Sequence, residues 1–277
     1  MPKKIALITV VYQNYSVLED LFDSLKKQNN NNYHFYIADL STTKKKIQSK
    51  DLPITVIFGE NKGYSHGVNL CLAQAEKDGI SLYGVINNDI IVAENFVEKL
   101  HGSFALYPNS IIGGKIYYAP GFEYHQSKYS KSDLGKVFWY AGGAIDWDNV
   151  YIKHRGVDEI DYGQYDKPEK TDFVTGCLLC FDKQVIDKIG YWNEDYFLYY
   201  EDADFCERAR KKNIDLIYYP ELVIWHKNAQ STKGPGSDIH TKFQEKNRIR
   251  FGLKYASLKT KLHLLFELSS PRRNNKK

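Results

Sequence analysis

In the first hundred residues, segments with a strand-like apolar pattern alternate with segments whose apolar positions recur at helical spacing. Residues 5–12 form a continuous, β-branched apolar run, which is typical of a strand buried on both faces. Residues 16–28 carry apolar side chains at helical spacing, and Ser16 is the predicted N-cap of this helix. Alternating strand and helix patterns predict βαβ units, and therefore a parallel sheet covered by helices.

The alternation of predicted strands and helices continues to residue 106, and polar residues follow the ends of several of these strands. The remaining predicted elements of this half are strands at 34–39, 54–58 and 82–86, and helices at 68–77 and 96–106. Gln13-Asn14, Asp39 and Asn87-Asn88-Asp89 each follow a predicted strand. Ligands of parallel sheets bind beyond the carboxyl ends of the strands. These residues therefore predict a ligand site at one edge of the sheet.

The second half of the chain has a different pattern. Residues 111–170 are rich in Tyr, Gly and Lys and lack helical periodicity, which predicts antiparallel strands and long loops. The later predicted elements are a strand at 175–181, a helix at 183–189 and strands at 216–219 and 223–226. Glu201, Asp202 and Asp204 precede a run of basic residues, an order that favours a helix start because of the helix dipole.

The C-terminal region is basic and amphipathic. From Phe251 the apolar residues recur at helical spacing and predict a single helix with one apolar stripe, formed by Phe251, Tyr255, Leu258, Leu262 and Leu265. This stripe could pack on the chain's own domain or meet an anionic membrane surface. We therefore divide the chain into a domain of residues 1–240, with halves 1–110 and 111–240, and a basic amphipathic helical extension and tail at 241–277.

Charge and cysteine content narrow the class of protein. Residues 241–277 hold eleven Lys/Arg and two Glu, whereas the other 240 residues have a net charge of −5. A mildly acidic body is unlike a general nucleic-acid binder. No apolar run reaches the length of a membrane span. Four cysteines without a secretory signal indicate a reduced, cytoplasmic protein, and Cys177 and Cys180 are predicted to be buried structural thiols.

Two segments have residues suited to binding a phosphorylated ligand. Asp89, with its neighbouring amides, suits Mg²⁺ or Mn²⁺, although Asn and Asp also favour plain turns. His226 follows a late strand and is a candidate second metal ligand, although a lone His is more often structural. Residues 61–69 hold glycines that permit close backbone approach, but they match neither a dinucleotide fingerprint nor a phosphate loop.

These motifs, in this order, resemble family 2 inverting glycosyltransferases with the GT-A fold, especially the bacterial rhamnosyltransferase and galactofuranosyltransferase-like branch. The resemblance extends over residues 5–230, and the motifs that carry it are Val10–Asn14, Asp39, Asn61–Asn69, Asn87–Asp89, Thr175–Cys177, Gly190–Phe197, Tyr200–Asp204 and Trp225-His226. It implies an α/β fold with a Rossmann-like, mostly parallel sheet flanked by helices and followed by a C-terminal helical extension.

The resemblance also implies roles for individual residues. Asp202 would be the general base, and Asp89 and His226 would hold Mn²⁺ or Mg²⁺. The metal motif of the family commonly begins with Asp, and here Asn87 stands in that place. The implied donor residues are Thr9, Val11, Asp39, Gly63, Asn69 and Asn88. The implied supporting or acceptor residues are Glu201, Asp204, Trp192 and Trp225.

The expected activity is transfer of one hexose or rhamnose from a UDP- or dTDP-linked donor to a glycan hydroxyl. The expected pathway is synthesis of a bacterial cell-surface polysaccharide, with a glycan or lipid-linked glycan as acceptor. The basic amphipathic C-terminus favours a cytoplasmic protein that binds peripherally to the inner face of the membrane. One rival is a sugar-nucleotide nucleotidyltransferase, which would need a basic glycine-rich loop where Gln13-Asn14-Tyr15 stands. Another is a non-catalytic glycan-binding module on the same fold, and Asn87 favours it.

Overall fold

The computed structural model describes residues 3–228 and 238–269. Within these ranges ten strands form one mixed sheet, and two further strands, β8 and β9, form a separate pair. The strands are β1 Ile5–Val11, β2 Tyr33–Asp39, β3 Ile54–Phe58, β4 Leu82–Ile86, β5 Ile90–Val92, β6 Ile111–Tyr118, β7 Phe138–Tyr140, β8 Gly143–Asp146, β9 Tyr151–His154, β10 Glu169–Lys170, β11 Leu178–Asp182 and β12 Leu216–His226. The helices are α1 Leu18–Lys26, α2 Tyr64–Lys77, α3 Phe96–Leu106, α4 Lys183–Ile189, α5 Glu201–Arg210, α6 Asp238–Tyr255 and α7 Leu258–Ser269.

The sheet has a parallel half and a mixed half. Its order is β10-β12-β6-β11-β4-β1-β2-β3, and the pairs β3-β2, β2-β1 and β1-β4 are parallel. Strand β11 runs antiparallel between β4 and β6, while β12 runs parallel to β6. The expected α/β fold, with a mostly parallel sheet flanked by helices and C-terminal helices behind it, is confirmed.

Three local expectations were wrong. Ser16 does not cap α1, because its hydroxyl donates to Asn14 Oδ1 and the helix begins without a side-chain cap. Helix α2 begins earlier than predicted, directly after Gly63. Strands 216–219 and 223–226 are one strand, β12, because Pro220 lies in a register shift between Tyr219 and Val223, a position that tolerates a missing N–H.

Residues 111–170 are only partly antiparallel. Strand β6 was expected to be antiparallel, but it pairs in parallel with β12, from Ile111 opposite Leu216 to Tyr118 opposite His226. The antiparallel strands of this region are the short ones, β7, β8, β9 and β10. A parallel pairing between segments this far apart leaves no local pattern in the sequence.

The prediction of one C-terminal helix from Phe251 onward was also wrong. The chain breaks at Ala256-Ser257, where the Ser257 hydroxyl accepts a hydrogen bond from Thr260 N (3.3 Å) and begins α7. Phe251 is buried and stacks on Trp147, with ring centroids 5.5 Å apart.

The predicted boundary between residues 240 and 241 lies inside α6, and the tail at 270–277 lies outside the described residues. In the part of the chain that the structure describes, no helix is long and apolar enough to cross a membrane.

Candidate active site

The segment Thr175–Cys177, just before β11, joins the two acidic motifs. The Asn87 backbone N–H donates to Cys177 O (3.1 Å), and the Gly176 N–H donates to Asp202 Oδ2 (2.8 Å). Asn87 follows β4, and Asp202 lies in the first turn of α5. The Asn87–Asp89 motif and the catalytic candidate Asp202 therefore lie on either side of one short backbone segment.

The Tyr64 hydroxyl lies between these motifs. It is 3.5 Å from both Asn87 Oδ1 and Gly176 O. Burial raises the pKa of Tyr64 well above its usual value, and the negative charges of Glu201, Asp202 and Asp89 add to that rise. The pKa of the Cys177 thiol is raised by burial and by Asp89 and Asp202 in the same way. Because the Tyr64 hydroxyl contacts Asn87 and Gly176 O, and Gly176 N binds Asp202, we expect the two acidic motifs to border one site.

Asp202 is held as a charged acceptor at the start of α5. Its Oδ1 accepts a hydrogen bond from Ala203 N (2.8 Å), and its Oδ2 accepts the one from Gly176 N. Burial nevertheless raises the pKa of Asp202 above the ordinary aspartate value. A carboxylate with a raised pKa is a stronger base at neutral pH.

Glu201 differs from Asp202, although the two are adjacent. It is buried, and its Oε2 atom has no hydrogen-bond partner among the described residues. Burial, and then the charge of Asp202, raise the pKa of Glu201 well above its usual value. When two coupled acids share a site, one retains its proton while the other ionises. We therefore assign the proton to Glu201 and the charge to Asp202.

The backbone before these acids is strained and is held by α6. Tyr199 and Tyr200 both have φ near 69°, a left-handed conformation that is costly for residues other than glycine. The buried Asn247 side chain donates from Nδ2 to Leu198 O (2.8 Å) and Tyr199 O (3.1 Å). Sequence analysis missed Asn247, because nothing around it in the chain marks its contact with a distant turn.

Replacing Asn247 by Ala is expected to lower the free energy of unfolding by about 1–3 kcal/mol, because it leaves two partly buried carbonyl groups without a donor. It should also lower kcat, since the turn that positions Glu201 and Asp202 loses its support. Denaturant unfolding and steady-state kinetics measure the two effects. Lys246→Ala, at the exposed neighbouring position, is the control and should leave stability within about 0.5 kcal/mol of the wild type. If Asn247→Ala and Lys246→Ala were equally stable, the proposed support of the turn by Asn247 would be wrong.

Asp204 links two helices. Its fully buried carboxylate accepts from Arg208 Nε, Lys254 Nζ and Tyr255 Oη, each at 2.8 Å. Two of these donors belong to α6, so the carboxylate ties α5 to the C-terminal helix. The expectation that Asp204 also frames Asp202 in the site stays a prediction.

The two tryptophans proposed to support the acceptor are engaged within the protein. Trp192 is buried and stacks on Phe205, with centroids 5.1 Å apart, so a sugar cannot stack on that face. Its Nε1 atom has no partner among the described residues. The six-membered ring of Trp192 borders Gly176, next to Asp202. Trp225 Nε1 donates to Gly135 O (2.9 Å). Stacking of sugars on these rings is therefore not supported by their packing.

Gly63 and Asn69 have packing roles. A Cβ at Gly63 would lie 2.5 Å from Phe197 O, and its φ is 108°, so this glycine permits close approach of the protein's own backbone. The Asn69 side chain accepts from Trp192 N (3.0 Å) and donates to Trp192 O (2.9 Å). Both residues fasten α2 to the segment before α5, and their contact with the donor stays a prediction.

The remaining donor candidates lie at the ends of β1 and β2. Asp39 is fully buried and accepts from Tyr15 Oη and Ser41 N, both at 2.9 Å. The Thr9 hydroxyl is buried without a partner among the described residues, and Val11 is buried at the end of β1. Asn88 Nδ2 donates to Val10 O (2.9 Å). Contact of these residues with a nucleotide stays a prediction.

Asp89 and His226 form the candidate metal pair. His226 Nε2 lies 3.2 Å from Asp89 Oδ1, about the distance between neighbouring ligands of an octahedral Mg²⁺-like ion with bonds near 2.1 Å. His226 Nδ1 is buried without a partner among the described residues. Over residues 3–228 and 238–269, no three His, Cys, Asp or Glu side chains are placed to hold a metal. The pair fits an ion that takes its other ligands from water and phosphate.

Aromatic packing fixes the His226 ring. Trp139 lies against His226 on one side and His154 on the other, with centroid distances of 4.6 and 4.5 Å. Burial lowers the pKa of His154 to about 4, so its ring is neutral at physiological pH. Sequence analysis identified His226 but missed Trp139 and His154, since their strands pair only in the folded chain.

Comparisons with known proteins show what the chain is similar to. One curated relative is the low-salt glycan biosynthesis hexosyltransferase Agl10 of Haloferax volcanii, which is 24% identical over 215 residues. The match includes 76% of this chain, and the chain spans only 63% of the length of that relative.

Two solved structures share the fold. GalNAc-T7, solved with UDP, GalNAc and Mn²⁺, superposes with a TM-score of 0.62 at 14% identity, over 81% of this chain and 43% of that one. The mannosyltransferase PcManGT from Pyrobaculum calidifontis, solved with GDP-Man and Mn²⁺, has a TM-score of 0.54 at 13% identity, over 96% and 69%.

The sequence model of "Glycosyl transferase family 2" matches residues 6–190. This range runs from β1 through α4, and it contains Asp39, Asn87–Asp89 and Thr175–Cys177. It ends before α5, so the assignment of Asp202 depends on the geometry described above. Because the match extends over more than half of the chain, the protein belongs to glycosyl transferase family 2.

Proposed function

We propose that the protein is an inverting hexosyltransferase that uses Asp202 as its general base. The donor would be a UDP- or dTDP-linked sugar, and the acceptor a hydroxyl group of a glycan. The observation that carries this proposal is the shared site of Asp89 and Asp202 around Tyr64 and Gly176. Transfer needs a base for the acceptor and a charge-neutralising group for the leaving diphosphate, on two sides of one sugar.

The reaction is a single displacement. The acceptor oxygen forms a bond to the anomeric carbon as its proton passes to the Asp202 carboxylate. The bond from that carbon to the diphosphate oxygen breaks, and the anomeric centre inverts. Gly176 N and Ala203 N hold the carboxylate in one orientation while leaving it lone pairs for the proton.

Glu201 would remain protonated and donate a hydrogen bond. Its raised pKa and its Oε2 atom without a protein partner suit a neutral acid that meets a sugar hydroxyl. The two adjacent acids therefore have different roles: Asp202 is the general base, and Glu201 is a hydrogen-bond donor.

Asp89 and His226 would hold a divalent cation, and Asn87 would lie beside it without adding charge. When bound, the cation would neutralise the charge that develops on the diphosphate. The Mn²⁺ reported with the two structural neighbours agrees with this assignment. The protein's own contribution is a rigid pair of ligands, because Trp139 packs on the His226 ring.

Two rivals make different predictions. A nucleotidyltransferase would release diphosphate from a nucleoside triphosphate, and it would need a basic glycine-rich loop after β1. The turn after β1 instead carries Gln13, whose backbone N–H donates to the Ser41 hydroxyl. A non-catalytic module would bind a nucleotide sugar and leave it intact.

A donor screen separates these possibilities. We expect one or a few nucleoside-diphosphate sugars to be turned over in the presence of Mn²⁺ and a glycan acceptor, with release of nucleoside diphosphate detected by a coupled enzyme assay. Tryptophan fluorescence titrated with UDP and dTDP reports binding in the same samples. Binding without release across the panel would favour the module, and release of diphosphate from triphosphates would favour the nucleotidyltransferase.

A further inference from the structure

Helix α7 exposes a continuous apolar face. Five of its large apolar side chains are 50–80% exposed, and they are Leu258, Leu262, Leu265, Phe266 and Leu268. At about 100° per residue these positions fall within roughly 160° of the helix circumference. Contiguous exposed apolar surface of this kind marks an interaction site.

The opposite side of α7 is fixed to the protein. Leu264 is buried and packs on Gly252 of α6, where an added Cβ would lie 2.4 Å from it. Glu267, the one acidic residue of α7, pairs with Arg248 at 2.5 Å. The apolar face is therefore held in a defined orientation, and the acid of the helix is neutralised on its inner side.

Positive charge surrounds the apolar face. On the same helical count Lys259 lies just beyond one edge of the apolar face, and Lys261 lies within it, near the other edge. A groove of about 820 Å³ runs beside α7, and it is lined on α6 by Thr241, Lys242, Glu245, Lys246, Ile249, Arg250 and Leu253. The charge of Glu245 is paired with Arg248, so the three other charged residues leave the groove positive. Cations beside apolar side chains suit a lipid phosphate above an acyl chain. In sequence, residues 270–277 add four more basic residues and no acid.

We propose that this face, formed by α7 and the adjoining groove of α6, docks on an anionic lipid bilayer. A second copy of the chain fits less well, because residues 238–269 carry a net charge of +4 and self-pairing would bring like charges together. An anionic surface gains from the same charges, and the apolar side chains enter the boundary between headgroups and acyl chains. The docking does not rest on the proposed transferase activity, although it agrees with an acceptor carried on a lipid.

Vesicle co-sedimentation of the full chain tests this proposal. The wild-type protein should bind vesicles that contain phosphatidylglycerol, bind phosphatidylcholine vesicles weakly, and lose affinity as salt rises. The double variant Leu262→Ser/Leu265→Ser should bind at least about tenfold more weakly, because it removes apolar side chains that enter the bilayer. Lys259→Glu/Lys261→Glu should weaken binding to the anionic vesicles selectively.

Leu106→Ser is the matched control, since Leu106 is an equally exposed leucine at the end of α3. It should bind vesicles like the wild type, and all variants should turn over donor with a soluble acceptor at the same rate. Wild-type protein that stays in the supernatant, or α7 variants that bind as tightly as Leu106→Ser, would overturn the proposal. Loss of a dimer in the leucine variant, measured by light scattering, with unchanged vesicle binding would assign the face to a second copy.

Discussion

Replacement of Asp202 by Asn is expected to lower kcat by about 10²- to 10⁴-fold, the usual contribution of a positioned general base. Donor affinity should change little, because the proposed contacts of Asp202 are with the acceptor proton and with two backbone N–H groups. An asparagine side chain cannot take up the proton at neutral pH. Single-turnover transfer and donor titration measure the two quantities separately.

Glu201→Gln is the matched control for this variant. It removes a carboxyl group from the adjacent position and keeps its shape, and a protonated Glu201 resembles the amide. We therefore expect Glu201→Gln to retain most of the activity that Asp202→Asn loses. If Glu201→Gln loses activity and Asp202→Asn keeps it, the roles of the two acids are reversed.

The pH dependence has a definite sign for each acid. The base is active when ionised, so kcat should fall as pH drops through the pKa of Asp202, which lies above that of an ordinary aspartate. The raised pKa of Glu201 means that the folded state binds this proton more tightly than the unfolded chain. Stability should thus decline as pH rises from the unfolded-state value of 4.5 through the raised pKa. Glu201→Gln should reduce that decline and leave the part that comes from the raised pKa of Asp202.

Replacement of Asp89 by Asn is the second change with a large expected effect. It removes the charged member of the Asp89–His226 pair, and Asn87 beside it supplies no charge in compensation. Because losing a residue that only orients a metal ligand already costs 10- to 100-fold in affinity, we expect Mn²⁺-dependent donor binding to weaken by more than about 10²-fold. Calorimetric titration of nucleoside diphosphate, with and without Mn²⁺, measures this.

His226→Gln is the companion variant, and it should weaken the same metal-dependent binding to a smaller extent because it removes no negative charge. Thermal unfolding of both variants in the absence of metal checks that the buried pair is not needed for the fold. Donor binding by Asp89→Asn that still responds fully to Mn²⁺ would place the cation elsewhere.

The parallel half of the sheet could be predicted from sequence because its signals are local. Residues 54–58, 82–86, 96–106 and 183–189 were predicted with the bounds found in the structure. In each case a short apolar run or a helical repeat is bounded by turn residues, and burial follows directly from that pattern.

The second half depends on contacts between distant segments. The pairing of β6 with β12, the packing of Trp139 on His226, and the bonds of Asn247 to the turn before Glu201 join residues that no local pattern links. The same limit explains Asp204, which matches a functional motif but faces Lys254 and Tyr255 once α6 packs on α5. The predicted C-terminal apolar stripe does not form one surface: Phe251 is buried, whereas the apolar side chains of α7 are exposed. This difference also depends on packing against distant segments.

The central claim is that Asp89 and Asp202 border one donor site, with the cation on the side of Asp89. Anomalous diffraction from Mn²⁺ in crystals grown with a nucleoside diphosphate tests it most directly. We expect one Mn²⁺ peak at about 2.2 Å from an Asp89 carboxylate oxygen and a His226 ring nitrogen, with the diphosphate between that ion and Asp202. A Mn²⁺ peak on other residues, or a diphosphate bound away from Asp202, would contradict it.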